Sequence, residues 1–282
     1  INKIPFYTPL YVREPLVGIV HHLFGKSIFA ETVLPAAIYV AVSERIALRV
    51  YRKTVLAVVS ESTRQEMIGH RFPAENVFLV PNCVDHRVFR SMGTTTTEPL
   101  VGYLGRLKRY KSVEDLLFAF EIVLKEIPNA RLVILGDGDA RDGLERVARE
   151  QKISPRVEFL GYVTEEEKIR YLNRMKVVVN TSAKEGWGLT AIEANACGVP
   201  VIASDVPGLR DSVLDGKTGM LYDYGNVEQL AEKILLVLRD ENLRSRLAAE
   251  ALAWARTFDW EESADKMIAV LEHAREAKKK ES

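Results

Sequence analysis

Residues Asn180 to Asp205, N-T-S-A-K-E-G-W-G-L-T-A-I-E-A-N-A-C-G-V-P-V-I-A-S-D, decide how the rest of the chain is read. Val177 to Val179 lead into them as an apolar, β-branched run that predicts a buried parallel strand. The chain then breaks at Lys184-Glu185-Gly186-Trp187-Gly188, and helical spacing resumes from Leu189 to Cys197. Gly198-Val199-Pro200 closes that helix, and Val201 to Ala203 begin a further strand. The pattern is strand, glycine loop, helix, strand. Gly186 and Gly188 let backbone come close to a ligand, and the free amides of Leu189 and Thr190 at the helix start favour an anion.

Two carboxylates bracket this loop and helix. Glu185 sits in the loop, and Glu193 lies about 7 Å further along the helix axis from Gly188. One reading of Glu193 is a solvated helix position. The other is a buried carboxylate in need of a partner, because Leu189, Ala191, Ile192, Ala194 and Ala196 surround it with apolar groups. The E-x7-E spacing of Glu185 and Glu193 in this setting resembles the donor-site signature of retaining glycosyltransferases with the GT-B fold. That group, the glycosyl transferases group 1, includes glycogen synthases and bacterial mannosyl- and glucosyltransferases. The resemblance implies an α/β chain of two Rossmann-like domains whose parallel sheets face a cleft. The first domain would hold the acceptor, the second the nucleotide sugar, and a C-terminal helix would cross back to the first.

The bulk properties agree with a local function. A chain of 282 residues suits two domains. Its 39 lysines and arginines balance 39 aspartates and glutamates, so no overall field favours nucleic acid as a partner. Cys83 and Cys197 stand far apart without a C-x-x-C pair or adjacent histidine, which argues against a disulfide framework and against zinc. A cytoplasmic location is the expectation. No apolar run reaches the roughly 18 residues that span a bilayer, and the longest, Val33 to Val42, contains Pro35.

In chain order, Pro15 to His22, Thr54 to Ser60 and Val77 to Val80 read as strands, with helices at Leu34 to Lys53 and Ser62 to Gly69. Arg45, Arg49, Arg52 and Lys53 fall on the first of these helices. They read either as an ordinary solvated face or as a peripheral contact with an anionic membrane. Ser91 to Pro99 has no periodicity and reads as a linker, so the first domain is expected over 1–92. A fresh α/β series follows over 93–258, with strands at Leu100 to Leu104, Arg131 to Leu135, Val157 to Leu160, Val177 to Val179, Val201 to Ala203 and Met220 to Tyr222. Its helices are expected at Val113 to Glu126, Gly143 to Gln151, Glu165 to Arg174, Leu189 to Cys197, Leu209 to Leu214, Val227 to Asp240 and Leu243 to Phe258. The last helix is expected over Glu261 to Ala277, inside a crossover segment and charged tail spanning 259–282. The family's first domain carries about twice as many strands as precede Ser91, so the resemblance implies a fragment that lacks the opening βαβ units.

Beyond Leu104 comes G-R-L-K-R-Y-K-S, from Gly105 to Ser112. A strand end that delivers Arg106 and Lys111 into one crevice suits a diphosphate, since a guanidinium grips phosphate oxygens bidentately and an ammonium acts as a point charge. The segment resembles the family's G-R-L motif followed by K-G, with Ser112 where glycine is common, a departure that bears on where the next helix starts. After Leu135 the G-D-G of Gly136 and Gly138 fails as a dinucleotide fingerprint, because Arg141 occupies the third glycine position. It is either a plain tight turn or, as the resemblance implies, a lining of the nucleotide base together with Val163. His21 closes its strand as a structural residue or, by the resemblance, as a neighbour of the donor sugar.

The resemblance therefore implies catalytic roles for Glu185, His21, Arg106 and Lys111. It implies donor contacts from Gly105, Gly136, Gly138, Val163, Gly186, Trp187, Gly188, Leu189, Thr190 and Glu193. The expected reaction is metal-independent hexosyl transfer, with retention, from a nucleotide sugar such as a UDP- or GDP-hexose to a hydroxyl of a glycan or lipid-linked glycan, with no cofactor. Whether Glu185 forms a covalent intermediate is open at this level. The rival expectation is a nucleotide-sugar-binding module without turnover.

Overall fold

The computed structural model describes residues 5–93 and 96–281, so Thr94 and Thr95 of the expected linker lie outside the described residues. Contacts divide the chain into two units, one of Ile1–Cys83, Glu185–Trp187 and Phe258–Ser282, the other of Val84–Lys184 and Gly188–Thr257. The change of unit falls ahead of the expected linker. Asn173 accounts for this, since its amide accepts from the Met92 N–H at 2.6 Å and donates to the Arg90 carbonyl at 3.1 Å, fastening this stretch to the second unit.

In the first unit, β1 (Val17–Val20), β2 (Val55–Val58) and β3 (Val77–Leu79) form a parallel sheet in that order. Between them run α1 (Ile28–Glu31), α2 (Leu34–Val50) and α3 (Glu61–Gly69). Alternation along β2 builds two half-cores. Leu56 and Val58 pack with Leu48, Met67 and Phe72 on the side of α2 and α3. Val55 and Ala57 instead meet Val270 and Ala274 of α11 (Trp260–Glu281). The Ser263 hydroxyl, donating to the Pro81 carbonyl at 3.0 Å, seats the start of that helix.

Two expectations are corrected here. The first strand is four residues long, which leaves His21 and His22 beyond its end. The helix expected to reach Lys53 stops at Val50, because the chain must turn through Tyr51 to Thr54 to enter β2, and the Thr54 N–H bonds the Tyr51 carbonyl at 2.8 Å. Arg52 and Lys53 therefore lie in the turn and do not share a helical face with Arg45 and Arg49. Helix α2 does expose Leu34, Ile38, Val42 and Ile46, spaced four apart along the helix that also exposes Arg45 and Arg49.

The second unit holds a six-stranded, all-parallel sheet in the order β6-β5-β4-β7-β8-β9. Its strands are β4 (Leu100–Leu104), β5 (Arg131–Leu135), β6 (Val157–Gly161), β7 (Val177–Asn180), β8 (Val201–Ser204) and β9 (Gly219–Tyr222). Strands β4, β7 and β8 are buried at every residue, as continuous apolar runs of a sheet covered on both faces must be. The crossover helices are α4 (Val113–Glu126), α5 (Arg141–Glu150), α6 (Glu165–Leu172), α7 (Leu189–Ala196) and α8 (Leu209–Ser212). Two further helices follow, α9 (Val227–Arg239) and α10 (Glu241–Ala255).

Side-chain caps decide several helix starts. Thr164 and Glu167 form a reciprocal capping box on α6, and Asn226 caps α9. Asp240 accepts from the Leu243 N–H at 2.9 Å and so starts α10 two residues before the expected Leu243. The order reverses between β4 and β7. Such a switch point opens a crevice beyond the carboxyl ends of these two strands.

Candidate functional site

The loops that leave β4 and β7 are sewn together at this switch point. The Thr181 hydroxyl donates to the Lys111 carbonyl at 2.7 Å, and the Ala183 N–H to the Tyr110 carbonyl at 2.8 Å. From β8, the Ser204 hydroxyl donates to the Ser182 carbonyl at 2.6 Å, buried from water. On this fixed backbone Tyr110 organises both expected cations, a role the sequence did not announce. Arg106 donates to its hydroxyl at 3.2 Å, and the Lys111 ammonium lies 5.1 Å from its ring centre. Arg106 is exposed and Lys111 half-buried, so the pair forms a positive surface presented by one short loop. Ser112 follows with φ 47° and ψ 40° and is the residue from which α4 starts.

Helix α7 presents the second feature. Gly188 precedes it with φ 84°, and a Cβ there would meet Leu209 and Ser212 at 2.8 Å, so both the backbone and the space require glycine. Leu189 is exposed and Thr190 half-buried at the first turn, whereas Ala191 to Ala196 are buried throughout. Glu193 is among them at 7% exposure, which decides between its two sequence readings. Its Oε1 accepts from the Lys168 ammonium at 2.9 Å, while Oε2 has no hydrogen-bond partner among the described residues. Burial pushes the Glu193 carboxyl above its ordinary range, opposed by the Lys168 charge and hydrogen bond. Lys168 sits on α6, and no local sequence pattern links it to Glu193.

The loops after β5 and β6 adjoin the β4 loop. Gly136 donates to the Gly161 carbonyl at 2.8 Å, and Leu107 donates to the Asp137 carbonyl at 2.9 Å. A Cβ on Gly136 would sit 2.0 Å from the Gly105 carbonyl oxygen, and one on Gly138 would sit 2.2 Å from that of Leu107. Backbone packing therefore accounts for both glycines. Arg141 begins α5 and donates to the Phe159 carbonyl at 3.2 Å, so it ties β6 to the helix where a dinucleotide fingerprint needs glycine. Val163 is half-buried beside the fully exposed Tyr162.

The remaining expected residues belong to the first unit. A Cβ on Gly186 would lie 2.3 Å from the His21 carbonyl oxygen, so the Glu185–Trp187 segment passes directly over the end of β1. His21 is exposed and Glu185 half-buried. The Trp187 ring is buried and packs edge-on against Phe258, with centroids 5.0 Å apart. Its side chain is thus core, which leaves its backbone for any ligand. Among the described residues, no group of three or more histidine, cysteine, aspartate or glutamate side chains is placed to hold a metal ion. No described helix is long and apolar enough to cross a membrane.

The family model for glycosyl transferases group 1 matches residues 85–254. The chain belongs to this family. Among curated group 1 relatives, the D-inositol 3-phosphate glycosyltransferase of Corynebacterium urealyticum is 32% identical over 186 residues, 64% of this chain and 44% of the relative. The poly(ribitol-phosphate) alpha-N-acetylglucosaminyltransferase of Staphylococcus aureus is 30% identical over 195 residues, 69% of this chain and 38% of the relative. The group 1 chain thus spans less than half the length of these two proteins. In three dimensions it resembles a glycine-to-arginine mutant of TarM from Staphylococcus aureus, solved with UDP, alpha-GlcNAc-glycerol and Fondaparinux, at a TM-score of 0.76. That match has 24% identity and covers 90% of this chain and 50% of the other, and it establishes the GT-B fold.

Proposed function

We propose that this group 1 chain binds a nucleoside diphosphate sugar and transfers its hexose, with retention and without a metal ion, to a hydroxyl of a glycan or lipid-linked glycan. The observation that carries the reading is the pairing, within one unit, of the Arg106 and Lys111 loop with the buried Glu193 that keeps one carboxylate oxygen unpartnered. The first element suits a diphosphate and the second a ribose.

As the bond between the anomeric carbon and the diphosphate oxygen breaks, its electron pair passes to the diphosphate. Arg106, Lys111 and the first amides of α7 are assigned to that growing negative charge, with Gly188, Leu189 and Thr190 shaping the helix start. The acceptor oxygen forms the new bond on the face the diphosphate leaves, and its proton goes to the departing phosphate. His21 and Glu185 are assigned hydrogen bonds to hydroxyls of the donor sugar. The backbones of Gly105, Gly136, Gly138, Val163, Gly186 and Trp187 are assigned to the remaining donor contacts.

Calorimetric titration of the purified chain with UDP, GDP, ADP and their glucose and mannose conjugates tests the reading. One nucleotide is expected to bind selectively, and Arg106→Ala and Glu193→Ala are each expected to weaken it by about tenfold or more, the value of a lost charge-assisted hydrogen bond. A folded chain that binds none of them overturns the assignment. UDP is the first ligand to try, because the TarM neighbour is solved with it.

A second reading is a nucleotide-sugar-binding module without turnover, and the chain spans 44% and 38% of the two relatives named above. Nucleotide binding accompanied by neither transfer nor hydrolysis would select it. For the acceptor side we keep a peripheral membrane contact through α2, supported by exposed Leu34, Ile38, Val42 and Ile46 beside Arg45 and Arg49. Co-sedimentation with anionic but not neutral vesicles is the expected result, and Ile38→Glu should abolish it.

A further inference from the structure

Lys168 has no part in the reading above, yet it donates the hydrogen bond that the Glu193 side chain receives among the described residues. Its ammonium lies 2.9 Å from Oε1, and it also sits 4.5 Å from the centre of the Phe89 ring. Its side chain is only 24% exposed, and that of Glu193 only 9%. A lysine held between a buried carboxylate and an aromatic face has little freedom to swing out to solvent. The carboxylate, in turn, is fixed through one oxygen among the described residues.

We propose that Lys168 is a positioning residue for the donor nucleotide: by holding Oε1 of Glu193, it leaves Oε2 as the oxygen that accepts a ribose hydroxyl. This rests on the nucleotide reading of the site. Oε2 is buried without a partner, and an orphaned carboxylate oxygen gains most from a hydroxyl brought to it by a ligand. Lys168 thereby makes the site discriminate between a ribose and a sugar that lacks its hydroxyls, although it touches no part of the nucleotide itself.

The charges around Glu193 set the pH behaviour. Lys168 stabilises the ionised carboxylate, Glu165 opposes ionisation, and the Cys197 thiol stays protonated beside it, its pKa pushed up to about 12 mainly by burial. Removing Lys168 leaves burial and Glu165 unopposed, so Glu193 would take up its proton at a higher pH and stop acting as a pure acceptor.

The test compares Kd values for UDP and 2′,3′-dideoxy-UDP, with GDP and ADP pairs in parallel, for the wild type, Lys168→Met and Lys168→Arg. In the wild type the ribose form should bind at least about tenfold more tightly than the dideoxy form. Lys168→Met should remove most of that ratio, leave dideoxy binding unchanged and move the acid limb of ribonucleotide binding to higher pH. Lys168→Arg should restore the ratio. Should the methionine variant not fold, Lys168→Leu, which likewise offers no donor to Oε1, gives the same readout. Equal weakening of both forms makes the pair a structural tie between α6 and α7 and overturns the proposal, as does an unchanged ratio. A wild type that binds no nucleotide at all overturns the site reading itself, which is a different result.

Discussion

Ser112 holds a left-handed conformation that costs an L-residue roughly 1–2 kcal/mol, at a position where the family's motif has glycine. Ser112→Gly should therefore stabilise the chain by about 1 kcal/mol in urea denaturation, after allowing for the lost hydroxyl contact with Tyr224 at 2.8 Å. No gain would mean that this hydroxyl pair offsets the strain. Glu193 supplies a second prediction at this scale. Its folded-state pKa is raised above the ordinary 4.5, so the folded state holds the proton more tightly than the unfolded one. The contribution of Glu193 to stability should be greatest below the ordinary value and decline as pH rises from there through the raised pKa. Glu193→Gln should flatten that slope. On the proposed reading nucleotide affinity should run the opposite way, failing on the acid side where Glu193 is protonated.

At the scale of elements, α11 holds the sheet of the first unit from one side, with Val270 buried at 1% against Val55 and Ala57. Val270→Asp places an unpaired charge there and should destabilise the first unit by about 3 kcal/mol or more, seen as a lowered midpoint in thermal melts. Most elements were legible because their signals are local. The apolar run at Leu100, the β-branched run at Val177 and the glycine break before Leu189 each mark one boundary within a few residues. Where boundaries moved, a particular side chain moved them, as Asp240 did for α10 and the turn through Tyr51 did for α2. The site was legible only in part. Arg106, Lys111 and Glu193 lie in motifs, whereas Tyr110 and Lys168 act through contacts between loops and helices that no spacing encodes. Strand order, which makes β4 and β7 neighbours, is likewise a product of packing.

For the whole molecule, the two units differ in what they bury. The second has a six-stranded sheet covered on both faces, and the first has three strands and exposes Leu34, Ile38, Val42 and Ile46 on α2. Small cores are marginal, so calorimetric scans should show two transitions with the first unit melting first. A nucleotide at a hundred times its Kd should raise the transition of the second unit, which carries Arg106, Lys111 and Glu193, by about 2.7 kcal/mol in that unit's stability. A single transition that moves as one would show that the units unfold together. Each unit also carries one buried cysteine, Cys83 at 9% exposure in the first and Cys197 at 4% in the second. Neither thiol can meet an aqueous alkylating reagent until its surroundings open, so the chain comes equipped with two separate clocks. Timed labelling followed by mass measurement of the two cysteine peptides would give the opening rate of each unit without any engineered probe.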